Sequence, residues 1–182
     1  MAFDSFLIVR NPSGQTYRTE TADSVFGRYN TLQVNSFSLG IRNNVSIGGS
    51  GAGTGKAAFD QLVINKGNSP NSPNFIQACA QGILIPRLTL LLRKSGGTPT
   101  SLTSITTIYS FGTVYVTSVE DQGSSGEDVP SESITFAFGE FAYHQYTTLN
   151  SGAAGPAYKS SWSQIKNTIW TGYTPMDGPI TT

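Results

Sequence analysis

Apolar and polar residues alternate along much of this chain with a period of two, the pattern of strands that bury one face. In LTLLL, Leu88, Leu90 and Leu92 share a face, Thr89 and Leu91 take the other, and Arg87 and Arg93 flank the run. SITFAFGEFAY alternates in the same way, with Ile134, Phe136 and Phe138 on one side. The phase then reverses at Gly139, because Phe141 and Tyr143 fall on the opposite parity. A glycine at a parity change predicts a bulge or corner, where a strand turns from one part of a sheet to another. TLQVNSFSLGI repeats the device: Leu32 and Val34 give way to Phe37, Leu39 and Ile41, with the switch at Asn35–Ser36. Further strands are predicted over 5–10, 57–66 and 105–119.

One segment departs from this period. SPNFIQACAQG offers Ser72 as N-cap, Pro73 as first helical residue and Gly82 as stop, so the pattern predicts a short helix over about residues 73–81. Its stripe of Phe75, Ile76 and Cys79 is expected to lie on a sheet. Many strands with one short helix predict a mainly β fold, a barrel or sandwich with a helical appendage. Neither a repeat nor a domain break is visible, so residues 1–182 read as one domain. The Pro/Gly/Thr-rich tail, residues 171–182, is the candidate for a mobile or swapped terminus.

Charge sharpens the picture. Only 12% of the 182 residues are charged, eleven of each sign. Nothing supplies the basic field that nucleic acid or an anionic membrane would meet, so neither is an expected partner. A near-neutral surface rich in Ser, Thr, Asn and Gly opposes self-association weakly, which favours an assembling protein. The single cysteine, Cys79, excludes an internal disulfide and a cysteine metal cage. The N-terminal MAFDSFLIVR carries Asp4 where a secretory signal needs basic residues, and its apolar run is short. No stretch approaches the ~20 apolar residues of a membrane span. The expected location is the cytoplasm, or export by a route without a cleaved signal.

Candidate chemistry is sparse. GGSGAGTGK, Gly48 to Lys56, invites a phosphate-binding reading, but Ser50 stands where the first glycine of that motif belongs and Ala57 replaces the metal-binding hydroxyl. The dinucleotide pattern fails at Lys56, and the nucleophile elbow fails at Ala52. His144, the only histidine, lacks any triad signature around it and reads as structural. Cys79 reads as a small core residue. Glu120, Asp121, Glu127, Asp128 and Glu132 match no calcium-loop spacing and read as a solvated hairpin. Tyr146, Tyr158, Trp162 and Trp170 leave open a sugar-stacking platform, hence a β-sandwich carbohydrate-binding module, beside the commoner core or interface role. No enzyme is expected, and no cofactor or metal.

Ordered blocks of this chain resemble the haemolysin-coregulated protein (Hcp) family, the tube proteins of type VI secretion systems. They are VNSFSLGI, GGSGAGTGKAAFDQLVINK, SPNFIQACAQG, LTLLLRKSGG, SSGEDVPSESITF and GPAYKSSWSQIKN, spread over roughly residues 30 to 167. The resemblance implies a compact β-barrel of two sheets with one short helix, six copies closing into a ring, and rings stacking into a hollow tube that a contracting sheath drives outward. It implies sheath and spike proteins as partners, and small effector proteins in the lumen. By the same resemblance Gly48, Gly49, Ser50, Gly51, Ala52, Gly53, Thr54 and Gly55 form an inter-strand loop for ring-stacking or inter-subunit contact, with Lys56 opening a strand. Ser36 and Ser38 share a parity opposite to Phe37 and Leu39, and the resemblance places them on the lumen. PSGQTYRTETADSVFGRYN and the tail after Trp170 depart from the family pattern, as does the low charge of GNSPNSPNF.

Overall fold

The alternating segments become strands of one long antiparallel sheet that curls until its ends meet. The computed structural model describes residues 3–10, 17–18, 20–23, 25–48, 51–94, 105–125, 129–148 and 154–173. Its elements are β1 (Phe3–Arg10), a 3-10 turn (Phe26–Tyr29), β2 (Leu32–Val34), β3 (Ser36–Ser38), β4 (Ile41–Gly48) and β5 (Gly51–Phe59). They continue with β6 (Leu62–Gly67), α1 (Ser72–Gln81), β7 (Ile85–Lys94), β8 (Ile105–Gln122), β9 (Ser131–Thr148) and β10 (Ala154–Ser163). The main sheet runs β2-β1-β7-β8-β9-β6-β3, with β10 paired to β9, while β4 and β5 make a separate two-stranded sheet. Strands β2 and β3 are two halves of one strand kinked at Asn35, so the two ends of that order adjoin. The Asn35 N–H donates to the Asn65 carbonyl at 2.8 Å across the join. Among the described residues the result is a mainly β, nearly closed barrel with one α-helix; of the barrel and sandwich that the sequence pattern leaves open, it is the barrel that the resemblance implies.

The barrel interior collects Leu7, Val9, Leu88, Leu90, Phe111, Ile134 and Phe136, with Phe75 and Ala78 of α1 packed onto them. A second cluster, Phe6, Phe26, Leu91, Ile105 and Ile108, lies on the other face of β1, β7 and β8. These strands are therefore buried on both sides, which is why LTLLL carries an apolar residue on each parity. Arg93 seals the second cluster. Its guanidinium lies 5.1 Å from the ring centres of both Phe6 and Phe26 and pairs with Asp4 and Asp23, each at 2.7 Å. Burial alone would lower the Arg93 pKa, yet the hydrogen bonds and charges of Asp23 and Asp4 hold it above its usual value.

The corner at Gly139 works as its parity change requires. Before it β9 pairs with β6, and after it with β10. Phe136 and Phe138 on one side and Phe141 and Tyr143 on the other all meet the same core. Strand β8 bends at the matching place: Thr113, opposite Gly139 in the register, has φ +52°, a left-handed conformation that a β-branched residue rarely adopts. A Cβ at Gly139 would collide with the Ile165 side chain, which crosses the corner.

Several expectations need correction. The run 57–66 is not one strand: β5 and β6 belong to different sheets and are divided at Asp60–Gln61, where the Asp60 N–H bonds the Gly40 carbonyl at 2.8 Å. Ile41 does not join the core, because it starts the separate hairpin and is exposed. The helix begins at Ser72 with Asn71 as its cap position, which puts Pro73 second. Ser72 is drawn inward, its hydroxyl donating to Glu132 at 2.8 Å. The buried stripe of the helix is Phe75, Ala78 and Cys79, while Ile76 faces outward. Gly82 ends the helix as expected, at φ +61°. Of the tail, residues 171–173 are described; 174–182, and Glu127 and Asp128 of the acidic loop, lie outside the described residues.

Candidate functional site

Ser36 and Ser38 are exposed, and Phe37 between them turns inward, lying near Phe3 and Tyr109. Antiparallel pairing extends their two positions into rows across four strands. One row is Ser36, Asn65, Ser133 and Glu120; the next is Ser38, Val63, Thr135 and Ser118. The Asn65 amide donates to the Ser36 hydroxyl at 2.9 Å. Residues of opposite parity on the same strands, Ile64 and Ile134, are fully buried. The outcome is a wall of hydroxyl and amide groups interrupted by one apolar residue, Val63, and one charge, Glu120. Sequence reading identified only the two serines. SESITF carries the rest of the signal, since Ser131, Ser133 and Thr135 alternate with core residues.

The glycine-rich run occupies the far end of the β4–β5 hairpin. Gly51 to Gly55 are strand residues, with Gly48 opposite Gly51, Ser46 opposite Gly53 and Val45 opposite Thr54. The expected loop with Lys56 opening a strand is thus largely extended strand beginning at Gly51; Gly49 and Ser50 lie outside the described residues. Strands flank the run on both sides, and a phosphate cradle of the nucleotide-binding kind needs a helix N-terminus at that place. The hairpin is fixed at its base. Phe59 packs against Phe138 and Phe141, and Arg42 pairs with Asp60. Gly40 makes room for that carboxylate, which a Cβ there would strike.

A buried ion cluster beside α1 escaped the sequence reading altogether. Lys66 is 1% exposed and its Nζ lies 2.6 Å from Glu132 Oε1 and 3.3 Å from Glu20 Oε2. It also donates to Ser69 Oγ at 2.6 Å and to the Gly67 carbonyl at 2.9 Å. Glu20 accepts hydrogen bonds from Ser69 and from the Asn71 backbone and amide. Glu132 therefore belongs to this cluster and not to a solvated acidic hairpin. A lysine at the end of an alternating strand looks like a surface residue, because only the chain folded over it supplies the partners.

The remaining candidates are scattered. Cys79 is half-buried beside the barrel core. His144 is buried on the outer face of β9, with its ring against Tyr173 at 5.1 Å. The four aromatics of the proposed sugar platform do not assemble: Tyr158 is 67% exposed, Trp170 is buried, Tyr146 packs on the second cluster, and Trp162 lies on the Phe141 side of the sheet. Among the described residues, no helix is long and apolar enough to cross a membrane.

Comparison with known proteins gives a consistent answer. A sequence model of the family described as "Type VI secretion system effector, Hcp" matches residues 20–144. Protein hcp1 of Pseudomonas aeruginosa is 30% identical over 113 residues, covering 62% of this chain and 68% of that protein. A solved type six secretion system protein superposes with a TM-score of 0.79 at 27% identity, over 92% of this chain and 99% of the other. Hcp1 from Salmonella typhimurium shares the fold, with a TM-score of 0.67 at 23% identity over 93% and 100% of the two chains.

Proposed function

Because this chain belongs to the Hcp family of type VI secretion system proteins, we propose that it is a structural tube subunit whose copies close into six-membered rings that stack into a hollow tube. The observation that supports this reading is the hydroxyl and amide wall across β3, β6, β9 and β8. Such a surface holds cargo weakly and lets it slide, so it suits a lumen lined by Ser36 and Ser38. The β4–β5 hairpin stands apart from the barrel and suits contact with a neighbouring ring or subunit through residues 48–55. Head-to-tail contact around a ring satisfies every subunit surface without leaving an open end. Sheath and spike proteins would be its partners outside, small effector proteins its cargo inside. The protein waits in the cytoplasm and leaves with the tube. Catalysis has no part in this role.

Light scattering on the purified protein, followed by negative-stain imaging of the peak, tests the reading. A particle of six subunit masses with a central hole is the expected result. A monomer at every concentration tried would overturn it.

A further inference from the structure

After β10 the chain turns back over the outer face of its own sheet. The Ser163 N–H bonds the Thr168 carbonyl at 2.8 Å to close the turn. Trp170 then descends on Gly112, where a Cβ would stand 2.9 Å from Trp170 Cζ2. Side chains of the sheet hold the next residues by their backbone. Ser161 Oγ donates to the Trp170 carbonyl at 2.8 Å, and Arg87 Nη2 donates to the Gly172 carbonyl at 3.0 Å. The Arg87 guanidinium also lies 5.7 Å from the Trp170 ring centre. Tyr173 completes the cover, 5.3 Å from Trp170 and 5.1 Å from His144.

What lies beneath is unusual. His144 is 1% exposed, and among the described residues neither of its ring nitrogens has a hydrogen-bond partner. The hydroxyl of Ser110 on the adjoining strand, fully buried, is likewise unpartnered. A buried neutral imidazole tolerates this at some cost; a buried imidazolium without an acceptor does not.

The surrounding charges favour the neutral form. From β10, Lys159 stands directly opposite His144 in the register. Arg87 of β7 and Arg10 of β1 add positive charge to this face, where burial first, and then Arg10, lower the Arg87 pKa. Strand β8 contributes only Ile108, Ser110 and Gly112. On β9 the neighbours of the same parity are the Tyr146 phenol and Glu140, the one carboxylate. Glu140 is engaged at the far end, beside Gly112 and Thr113. Burial first, and then Lys159, hold the His144 pKa below its ordinary value.

We propose that residues 170–173 form a strap over the outer face of β7 to β10, latched while His144 is neutral and released when the imidazole takes up a proton. Lifting Tyr173 is the direct way to give the imidazolium water. The sign follows from linkage: the open form binds the proton more readily, so the latch holds fully above the ordinary histidine pKa of about 6.5 and weakens as pH falls. Between that value and the lower pKa of the latched state, the open-to-closed ratio rises by up to about tenfold per pH unit, and then levels off. Release exposes the slot over Gly112 that Trp170 fills.

One histidine and two tryptophans make the test clean. The full chain is labelled with 5-fluorotryptophan and followed by fluorine NMR from about pH 7.5 to about pH 5, with Trp162→Phe used to assign the lines. The Trp170 line is expected to move to a solvent-exposed position while the Trp162 line stays. Its midpoint should coincide with the proton titration of the His144 ring and fall below about 6.5. His144→Gln should abolish the response. A Trp170 line that ignores pH, moves together with Trp162, or titrates unchanged in the His144→Gln protein overturns the proposal. If that variant does not fold, the two wild-type midpoints decide: coincidence supports the latch and separation refutes it.

Discussion

Lys66 shows how a single position can be opaque to sequence and decisive in the fold. Its ammonium is surrounded by two carboxylates, a hydroxyl and a carbonyl, all within 3.3 Å. Three separate pieces of chain converge there: the segment around Glu20, the approach to α1, and β9. Removing one partner of such a group leaves uncompensated charge in a poorly hydrated place, at a cost of about 3–5 kcal/mol. Lys66→Met is therefore expected to lower stability by about that much, read as a shift of the urea midpoint. Glu132→Gln should cost less, because the amide oxygen still accepts from Ser72. A Lys66→Met protein as stable as the wild type would show that the cluster is energetically neutral. Ser36 and Ser38 lie at the other extreme. Parity alone put them on the face opposite Phe37, and the fold agrees, because alternation in a strand is local geometry.

At the scale of elements, the parity changes at Asn35–Ser36 and Gly139 were legible, since a glycine or a polar pair between two out-of-phase apolar runs leaves few alternatives. The helix was legible from its Pro73 and its Gly82 stop. Strand β10 was not, because AGPAYKSSWS alternates weakly and finds its place only by pairing with the second half of β9. The division of β5 from β6 was equally hidden: AAFDQLVINK reads as one run, and only the Gly40–Asp60 contact shows that its halves belong to different sheets. Gly112 belongs to this scale too, because it is the gap between elements that Trp170 fills. Gly112→Ala should push the indole off the sheet and cost about 1–3 kcal/mol, measured by the same urea midpoint. At neutral pH its Trp170 fluorine line should already sit where the acid form of the wild type sits. A stability loss below ~0.5 kcal/mol would mean that the indole is not seated as described.

On the scale of the whole molecule, the low charge bears on assembly. Ion pairs between exposed groups weaken as salt shortens the screening length to about 3 Å at 1 M. The proposed ring, built from surfaces this poor in charge, is expected to keep its particle mass in light scattering from low salt to about 1 M. Dissolution by salt would instead mean that the few charges are concentrated at the contacts. What the sequence determined by itself was the strand content, the helix and the side of each strand that is buried, because period and parity depend only on near neighbours. With its ordered blocks it also pointed to the family. Tertiary structure alone decided which strands pair, that the glycine-rich run is a hairpin, and that Glu132 and Lys66 are buried together. It alone also placed His144 beneath the returning chain. The hairpin closes over a few residues, but the other contacts join residues tens of positions apart, and no local pattern records which distant partner a strand, a charge or a ring will meet.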